Sequence, residues 1–481
     1  MSNLNSKKKP FYKKRFVLYS ERGFLYSIEM NQITEKEHKQ TSVGFISLGC
    51  PKNMVDSEKM LALIAEAGFI IDYDTESADV VVINTCGFIQ PAVDEAMETI
   101  SHALGKKKKG KIKKVVVAGC LSERMREKLL ERFPHIDAVV CLGARDEIAN
   151  VITNVLSGKA EKLYKSPADW ESRIQLDSDR LLITSAHWAY LRISEGCDRN
   201  CSFCTIPSIK GKFRSKPLDA VIAEAKQLAD SGIVEISVIA QDCTTWGRDL
   251  DEKEGLIKIV KELEKIEKLK WIRLMYLNPF GVSEQLIEAI AQSKKVVHYI
   301  DMPIQHINTD ILKVMHRPDT KEKITALIEK IRKAIPDVVL RTTVIVGFPG
   351  ETEQQFNELL DFIKQMRFDA MGCFAFWPEE GTKAAQLPSP ISQKIKEQRV
   401  DKLMLAQQQI VFEKNKALKG RIIECLIDEV AADGPATGRY YGQAPHIDSL
   451  CFIKKCTEPA GSFVKAKITG FKDYDLLTEK I

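Results

Sequence analysis

Three cysteines stand close together in a polar segment of the chain, at Cys197, Cys201 and Cys204. Iron–sulfur cubanes are held by cysteine thiolates, and four protein ligands satisfy all of the irons. Three thiolates leave one iron open to a substrate or cofactor, so this spacing favours a catalytic 4Fe–4S cluster over one that only carries electrons. Half of a zinc site, or a disulfide beside a spare thiol, is the alternative interpretation. Zinc sites usually pair two C-x2-C units, and no second unit lies near in the sequence.

Whether the other cysteines form disulfides or bind metal depends on the cellular compartment. The chain has 481 residues, of which 44% are hydrophobic and 28% charged, values typical of a soluble protein. Its length predicts about three domains. No apolar run reaches the roughly 18 residues of a membrane helix, and the N-terminal segment lacks the pattern of a signal peptide. We therefore predict a cytoplasmic protein, in which metal binding or catalysis explains cysteines better than disulfides do.

Basic charge is concentrated at the N-terminus. Residues 1–42 contain nine Lys or Arg and four Asp or Glu, a net charge of +5 that equals the net charge of the whole chain. We predict that residues 1–42 form a basic, disordered extension, with anchoring to ribosomal RNA as the alternative. The lysine run between Lys106 and Lys114 has the same two interpretations, a solvated loop or a nucleic-acid contact. The neutral remainder of the chain weighs against a nucleic-acid substrate, because such binders usually concentrate basic charge on a folded domain.

A second cysteine triad comes from distant parts of the sequence. Short apolar runs alternate with helical patterns over residues 43–156, which predicts a parallel α/β domain. Cys50, Cys86 and Cys120 each follow a predicted strand and each is next to a glycine. Ligands in open α/β sheets collect beyond the carboxyl ends of the strands, so we expect these thiols to converge and hold a second cluster. Three ordinary buried cysteines are the alternative, and that is our prediction for Cys141, which has no adjacent glycine.

The rest of the chain predicts a barrel followed by a smaller domain. Residues 157–182 resemble a linker, and six strands alternate with amphipathic helices over residues 183–415. This alternation predicts a partial (β/α)6 barrel with its chemistry on the loops after the strands. Polar residues gather in those loops, at 197–204, Gln241, Asp242, Asn278, Gln305, His306, 347–351 and 379–381. Residues 416–481, with short strands between Gly and Pro, predict a small antiparallel barrel of the OB type.

The order of these parts resembles the radical S-adenosylmethionine methylthiotransferases, whose terminal barrel is called TRAM. Residues 195–204 fit the signature C-x3-C-x-aromatic-C of radical S-adenosylmethionine enzymes. Residues 47–58, Ser-Leu-Gly-Cys-Pro-Lys-Asn-Met-Val-Asp-Ser-Glu, look like the branch that modifies an aspartate of ribosomal protein S-twelve. The tRNA-modifying branch usually has Gln-x-Asn after its first cysteine. Departures at Cys243, Trp246 and 376–377 concern details of the pocket.

The resemblance implies a reaction and its cofactors. The cluster on Cys197, Cys201 and Cys204 would cleave S-adenosylmethionine to a radical that takes hydrogen from the β-carbon of the target aspartate. The cluster on Cys50, Cys86 and Cys120 would deliver a methylated sulfur, and a second S-adenosylmethionine would supply the methyl group. Cofactor contacts are expected from five barrel residues: Gln241, Asp242, Gln305, Arg341 and Gly347.

The resemblance also implies partners and leaves alternatives open. Its implied partners are ribosomal protein S-twelve on the small ribosomal subunit and an electron-donating reductase or flavodoxin. No membrane contact is predicted. The first alternative is a tRNA methylthiotransferase that performs the same chemistry on an adenosine. The second is a non-catalytic iron–sulfur factor that binds the ribosome.

Overall fold

The fold was analysed in a computed structural model that describes residues 41–170, 174–431 and 434–481. The predicted basic extension, except for its last two residues, lies outside the described residues. The helices that surround the sheets have the following bounds: α1 Pro51–Glu66, α2 Gln90–Lys108, α3 Cys120–Met125, α4 Glu127–Arg132, α5 Ile148–Ser157, α6 Ile206–Lys210, α7 Leu218–Asp230, α8 Leu256–Glu264, α9 Glu284–Gln292, α10 Thr309–Val314, α11 Lys321–Ala334, α12 Glu353–Met366 and α13 Gln393–Leu418.

The N-terminal part of the chain forms a parallel sheet of six strands, as predicted for an α/β domain. Its strands are β1 Ser42–Ser47, β2 Ile70–Asp72, β3 Val80–Thr85, β4 Lys114–Gly119, β5 Ala138–Val140 and β6 Leu163–Tyr164. Their order is β2-β1-β3-β4-β5-β6, and every pairing is parallel. Valine-rich β3 and β4 are buried on both faces because helices cover the sheet on each side. Strand β6 lies within the segment that resembled a linker and extends this sheet.

The middle of the chain forms the predicted partial barrel of six parallel strands. These are β7 Trp188–Arg192, β10 Glu235–Ile239, β11 Trp271–Leu274, β12 Val296–Asp301, β13 Val339–Val346 and β14 Ala370–Ala375. They pair in chain order from β7 to β14. A short antiparallel pair, β8 Ser194–Glu195 and β9 Arg214–Ser215, brackets the cysteine segment that follows β7. The largest buried cluster of the protein lies between these strands and their helices.

The C-terminal part is a small closed barrel of five strands. Its strands are β15 Ile422–Glu429, β16 Ala436–Tyr440, β17 Cys451–Lys454, β18 Phe463–Lys472 and β19 Asp475–Lys480. They close in the order β15-β16-β17-β19-β18. Four of the five pairings are antiparallel, but β17 and β19 pair in parallel, so the predicted barrel is not purely antiparallel. The parallel pair arises because β19 returns to close the barrel against β17.

The three parts share one buried apolar cluster on the face of the barrel sheet away from its helices. Val55 of α1 packs there with Trp188, Tyr299 and other barrel residues, and Leu426 and Ala444 of the C-terminal barrel join them. A loop of the small barrel also enters: the Tyr299 hydroxyl donates a hydrogen bond of 2.7 Å to Asp448. The interior of the partial barrel is therefore lined from three domains. No helix among the described residues has the length and apolarity that a membrane span requires.

Candidate active site

The thiols of Cys50, Cys86 and Cys120 lie at the carboxyl ends of three neighbouring strands, β1, β3 and β4. Glycines make this approach possible. Gly49 has φ +91°, and a Cβ there would stand 2.7 Å from the Cβ of Cys86. Gly119 has φ +96°, and a Cβ there would stand 2.5 Å from the carbonyl oxygen of Thr85. Any side chain at these two positions would push the strand ends apart, so the glycines keep the cysteines close.

The electrostatics of this triad favour a bound cation. Burial, together with negative charge on Cys50, raises the pKa of Cys86 to about 11. Burial is also the main cause that raises the pKa of Cys120, and charge on Cys86 and Cys50 adds to it. All three cysteines are free of disulfides. Bound metal deprotonates such thiols outright, so the donor set suits a group that brings its own positive charge.

The triad of Cys197, Cys201 and Cys204 lies in the loop after β8. Gly196 has φ +71°, and a Cβ there would collide with the carbonyl group of Lys212 across the loop. The backbone N–H of Arg199 donates to the Cys197 Sγ at 3.4 Å, and that of Ile206 donates to the Cys204 Sγ at 3.5 Å. Hydrogen bonds to sulfur stabilise thiolates and tune the potential of a bound cluster. Burial, followed by charge on Cys201 and Cys197, raises the pKa of Cys204 to about 12.

The arrangement of the triads does not fit a single metal ion. Across residues 41–170, 174–431 and 434–481, no three His, Cys, Asp or Glu side chains are arranged to hold one metal ion. A cubane places each thiolate on a different iron, so its ligands stand farther apart than those of zinc. The zinc alternative for Cys197, Cys201 and Cys204 therefore has no geometric support. Cys141 is buried, as predicted, and Cys243 is buried as well.

A buried network of ion pairs lies between the two cysteine loops. Five acidic and five basic side chains take part, so the network is formally neutral. Its members are Asp56, Glu58, Arg145, Asp177, Arg180, Arg192, Glu195, Lys210, Lys216 and Glu224. They come from α1, from the turn after β5, from the segment predicted as a linker, and from the barrel. The network thus joins the N-terminal sheet to the barrel.

Arg192 is the centre of this network. Its guanidinium lies 2.6 Å from Asp177 and 2.8 Å from Asp56, and it also pairs with Glu195, the residue two positions before Cys197. Burial alone would raise the pKa of the Asp177 carboxyl, but Arg192, Lys216 and Arg145 hold it well below its ordinary value. Buried carboxylates stay ionised only while a buried cation such as the Arg192 guanidinium is present.

Replacement of Arg192 should therefore be strongly destabilising. We expect Arg192→Met to lower the free energy of unfolding by about 3–5 kcal/mol, because three buried carboxylates lose a partner. Lys268→Met removes the exposed pair that Lys268 forms with Asp230 and should cost less than about 1 kcal/mol. Urea unfolding of the two variants and the parent protein measures both effects. Equal losses in the two variants would show that the network contributes no more than a surface pair.

The residues predicted to contact S-adenosylmethionine occupy varied environments. Gln241 follows β10, and its buried Oε1 has no hydrogen-bond partner among the described residues, which leaves it available to a ligand. Asp242 accepts a hydrogen bond of 2.6 Å from Arg199 and caps the turn at Thr244, so it also anchors the cysteine loop. Gln305 has φ +68° and bridges to Val344 of β13.

The other two predicted contacts have protein partners as well. The Arg341 Nη1 lies 2.9 Å from the Asp301 carboxylate, inside the barrel. The backbone N–H of Gly347 donates to Glu351, and the aliphatic chain of Lys396 fills the space where a Cβ of Gly347 would lie. The lack of a side chain at Gly347 thus allows α13 to pack against this loop.

Several functional contacts were not predicted from the sequence. Glu379 links the last barrel loop to the loop after Cys86: its Oε1 accepts a 2.7 Å hydrogen bond from the Gln90 N–H, and its Oε2 lies 2.8 Å from Arg124. His306 is fully buried and lies 3.5 Å from Glu351, in the loop after β13. The partner of each residue is distant in the chain, so no local pattern could have identified these pairs.

Lys52 reaches from the Cys50 triad into the barrel. It follows Cys50 by two residues, on the first turn of α1, and its ammonium lies over the Tyr276 ring. Its ammonium stands 3.3 Å from the ring centroid of Tyr276, just after β11. Burial lowers the pKa of Lys52, whereas Cys50, Cys243, Asp301 and Glu195 act in the opposite direction. Those neighbours place the ammonium at the carboxyl ends of the barrel strands.

A cavity of about 300 Å³ opens beside Cys197. Its lining is rich in cationic side chains, and Arg199, Arg248 and Arg317 all contribute to it. Asp198 is also in the lining and pairs with Arg248 at 2.6 Å. Positive charge therefore exceeds negative charge next to the triad.

Comparisons with known proteins agree with this architecture. Three family models match the chain: the Radical SAM superfamily over residues 191–363, the uncharacterized protein family UPF0004 over 42–141, and the TRAM domain over 420–481. Among solved structures, the radical S-adenosylmethionine methyltransferase TsrM from Kitasatospora setae superposes with a TM-score of 0.52 at 16% identity. That match covers 72% of this chain and 77% of TsrM. It supports the fold alone.

Curated relatives are much more similar. The chain is 43% identical over 446 residues to ribosomal protein uS12 methylthiotransferase RimO of Acetivibrio thermocellus, which covers 91% of this chain and 98% of the relative. The protein of the same name from Bdellovibrio bacteriovorus is 40% identical over 458 residues, 94% of this chain and 99% of the relative. Identity at this level over nearly the full length, with both cysteine triads in place, assigns the chain to the RimO family of radical S-adenosylmethionine methylthiotransferases.

Proposed function

We propose that this protein attaches a methylthio group to the β-carbon of an aspartate in ribosomal protein uS12. The observation that carries the proposal is the pair of cysteine triads, whose loops meet where the Thr205 hydroxyl donates a 3.0 Å hydrogen bond to the carbonyl oxygen of Phe88. One triad alone would suit a radical enzyme without a sulfur donor. Two triads on domains joined by one buried ion network suit a reaction that breaks a carbon–hydrogen bond and forms a carbon–sulfur bond at the same carbon.

We assign the two sites as follows. Cys197, Cys201 and Cys204 hold the 4Fe–4S cluster that works with S-adenosylmethionine, and Cys50, Cys86 and Cys120 hold the second cluster. Bound there, these groups supply one-electron cleavage of S-adenosylmethionine and a methylated sulfur for transfer. Each triad provides three thiolates, which leaves one iron of each cluster for a further ligand.

The protein itself contributes orientation and exclusion of water. Backbone N–H groups of Arg199 and Ile206 stabilise the thiolates of the radical site. Gln241, with its unpaired buried Oε1, and the residues Asp242, Gln305, Arg341 and Gly347 form the expected contact surface for S-adenosylmethionine. Apolar residues from three domains close the barrel interior, which protects a radical from water and oxygen.

The partners follow from the same assignment. The cationic cavity beside Cys197 suits an acidic electron donor such as a flavodoxin. All twelve cysteines are free, which is consistent with a reducing cytoplasm. Contact with ribosomal RNA through the lysine run is less well supported. Lys106, Lys107, Lys113 and Lys114 are each ion-paired with a carboxylate of their own domain.

The function is tested with the reconstituted protein under anaerobic conditions. Purified uS12, S-adenosylmethionine and a reductant are supplied, and mass spectrometry locates the modified residue. We expect one methylthio group on the target aspartate and formation of 5′-deoxyadenosine. A parallel reaction with unmodified tRNA is analysed for methylthioadenosine. Modification of tRNA but not of uS12 would overturn the proposed substrate, and absence of 5′-deoxyadenosine would support a non-catalytic factor.

A further inference from the structure

Lys52 is a buried cation without an anionic partner. Its exposed fraction is 8%, yet its ammonium forms no ion pair or hydrogen bond with any residue that the structure describes. The contact it does make is with the face of the Tyr276 ring, at 3.3 Å from the ring centroid. An aromatic face attracts a cation but replaces only part of its lost hydration. A buried ammonium in this state is arranged to receive an anion.

The position of Lys52 restricts what that anion can be. The side chain starts two residues after Cys50, which belongs to the sulfur-delivering site, and ends among Tyr276, Asp301 and Glu195 at the carboxyl ends of the barrel strands. The substrate carbon has to lie between the radical site and the sulfur site if it is to react at both. The Lys52 ammonium interacts with both Cys50 and Glu195, and Glu195 precedes Cys197 by two residues.

Other cations nearby already have partners. Arg341 pairs with Asp301 at 2.9 Å, and Lys210 pairs with Asp56 at 3.1 Å in the buried network. An incoming carboxylate that approached either group would compete with a buried acidic side chain. Lys52 offers an ammonium that no described carboxylate occupies.

We infer that Lys52 binds the side-chain carboxylate of the substrate aspartate and thereby directs its β-carbon to the space between the two triads. This inference rests on the proposed function. It makes Lys52 a specificity-determining residue, because a neutral asparagine or an adenine base offers no carboxylate to the buried ammonium.

The test measures discrimination between two substrates. Native uS12 and a uS12 variant with the target aspartate replaced by asparagine compete for the reconstituted enzyme, and mass spectrometry counts both products. We expect the parent enzyme to prefer the aspartate by about tenfold to a hundredfold, as for a hydrogen-bonded charged pair. In Lys52→Met this preference should fall to about onefold, and in Lys52→Arg it should be largely retained.

Controls separate recognition from folding and from cofactor binding. Lys59→Met removes a lysine of the same helix that donates a hydrogen bond to the carbonyl oxygen of Ser178, and it should keep the parent preference. Iron content and the unfolding midpoint are measured for every variant, and Lys52→Gln replaces Lys52→Met if the latter does not fold.

Three outcomes would overturn the inference. They are no preference in the parent enzyme, an unchanged preference in Lys52→Met, and weaker S-adenosylmethionine binding in that variant with the preference intact. A parent enzyme that forms no methylthio product on either substrate would instead overturn the proposed function.

Discussion

Replacement of Cys197, Cys201 and Cys204 by Ala should abolish cleavage of S-adenosylmethionine, with 5′-deoxyadenosine falling to background. The physical reason is that these thiols are the ligands assigned to the radical site, and their loop offers no substitute donor. The nearby carboxylates are already engaged, since Asp242 pairs with Arg199 at 2.6 Å and Asp198 pairs with Arg248 at 2.6 Å. Chromatography of the reaction mixture after anaerobic reconstitution measures the product directly.

Cys243 provides the matched control for this experiment. It is a fully buried cysteine after β10 of the same barrel, and it belongs to the apolar core rather than to a triad. We expect Cys243→Ala to retain 5′-deoxyadenosine formation. Equal loss in the two proteins would mean that any buried cysteine change damages the barrel, and the ligand assignment would lose its support.

Replacement of Cys50, Cys86 and Cys120 by Ala should separate the two halves of the reaction. Iron should fall from about eight to about four atoms per chain, as expected when one of two 4Fe–4S clusters is lost. Cleavage of S-adenosylmethionine should persist, because the radical triad lies on a different domain. Methylthio transfer to uS12 should disappear with its sulfur source. Iron analysis, 5′-deoxyadenosine assay and mass spectrometry of uS12 report the three quantities separately.

Cys141 is the control within the same sheet. It follows β5 and is buried, and its Sγ donates to the carbonyl oxygen of Ser122 at 3.7 Å instead of joining the triad. Cys141→Ala should keep the iron content of the parent protein. An unchanged iron content in the triple variant would mean that Cys50, Cys86 and Cys120 are ordinary core cysteines.

The fold was predictable from the sequence because its signals are local. Apolar runs followed by amphipathic helices occur throughout the barrel, and the six predicted strands appear in the structure in alternation with helices. Helix α13 was equally predictable, since the Ser392 side chain accepts the hydrogen bond from the Ile395 N–H that begins it. The parallel pairing of β17 and β19 was not, because the closure of a barrel depends on contacts between distant strands.

For the residues expected to contact the cofactor, position at a strand end was not enough to predict their role. Gln241 and Gln305 lie at strand ends, as expected, but the sequence could not tell which polar groups are free and which serve the protein. Asp242 holds Arg199, and Arg341 holds Asp301. A polar residue at a strand end becomes a ligand contact only if its neighbours leave it unpaired.

The sequence by itself determined the two cysteine triads and the class of chemistry. Three of the thiols are adjacent in the chain, and the other three follow parallel strands beside glycines, so short-range geometry was enough to bring them together. Tertiary structure alone decided what surrounds them: the ten-residue ion network, Glu379 beside the Cys86 loop, and Lys52 unpaired inside the barrel. Burial makes a charge depend on its partner, and those partners lie on different domains, where only packing can set the distances between them.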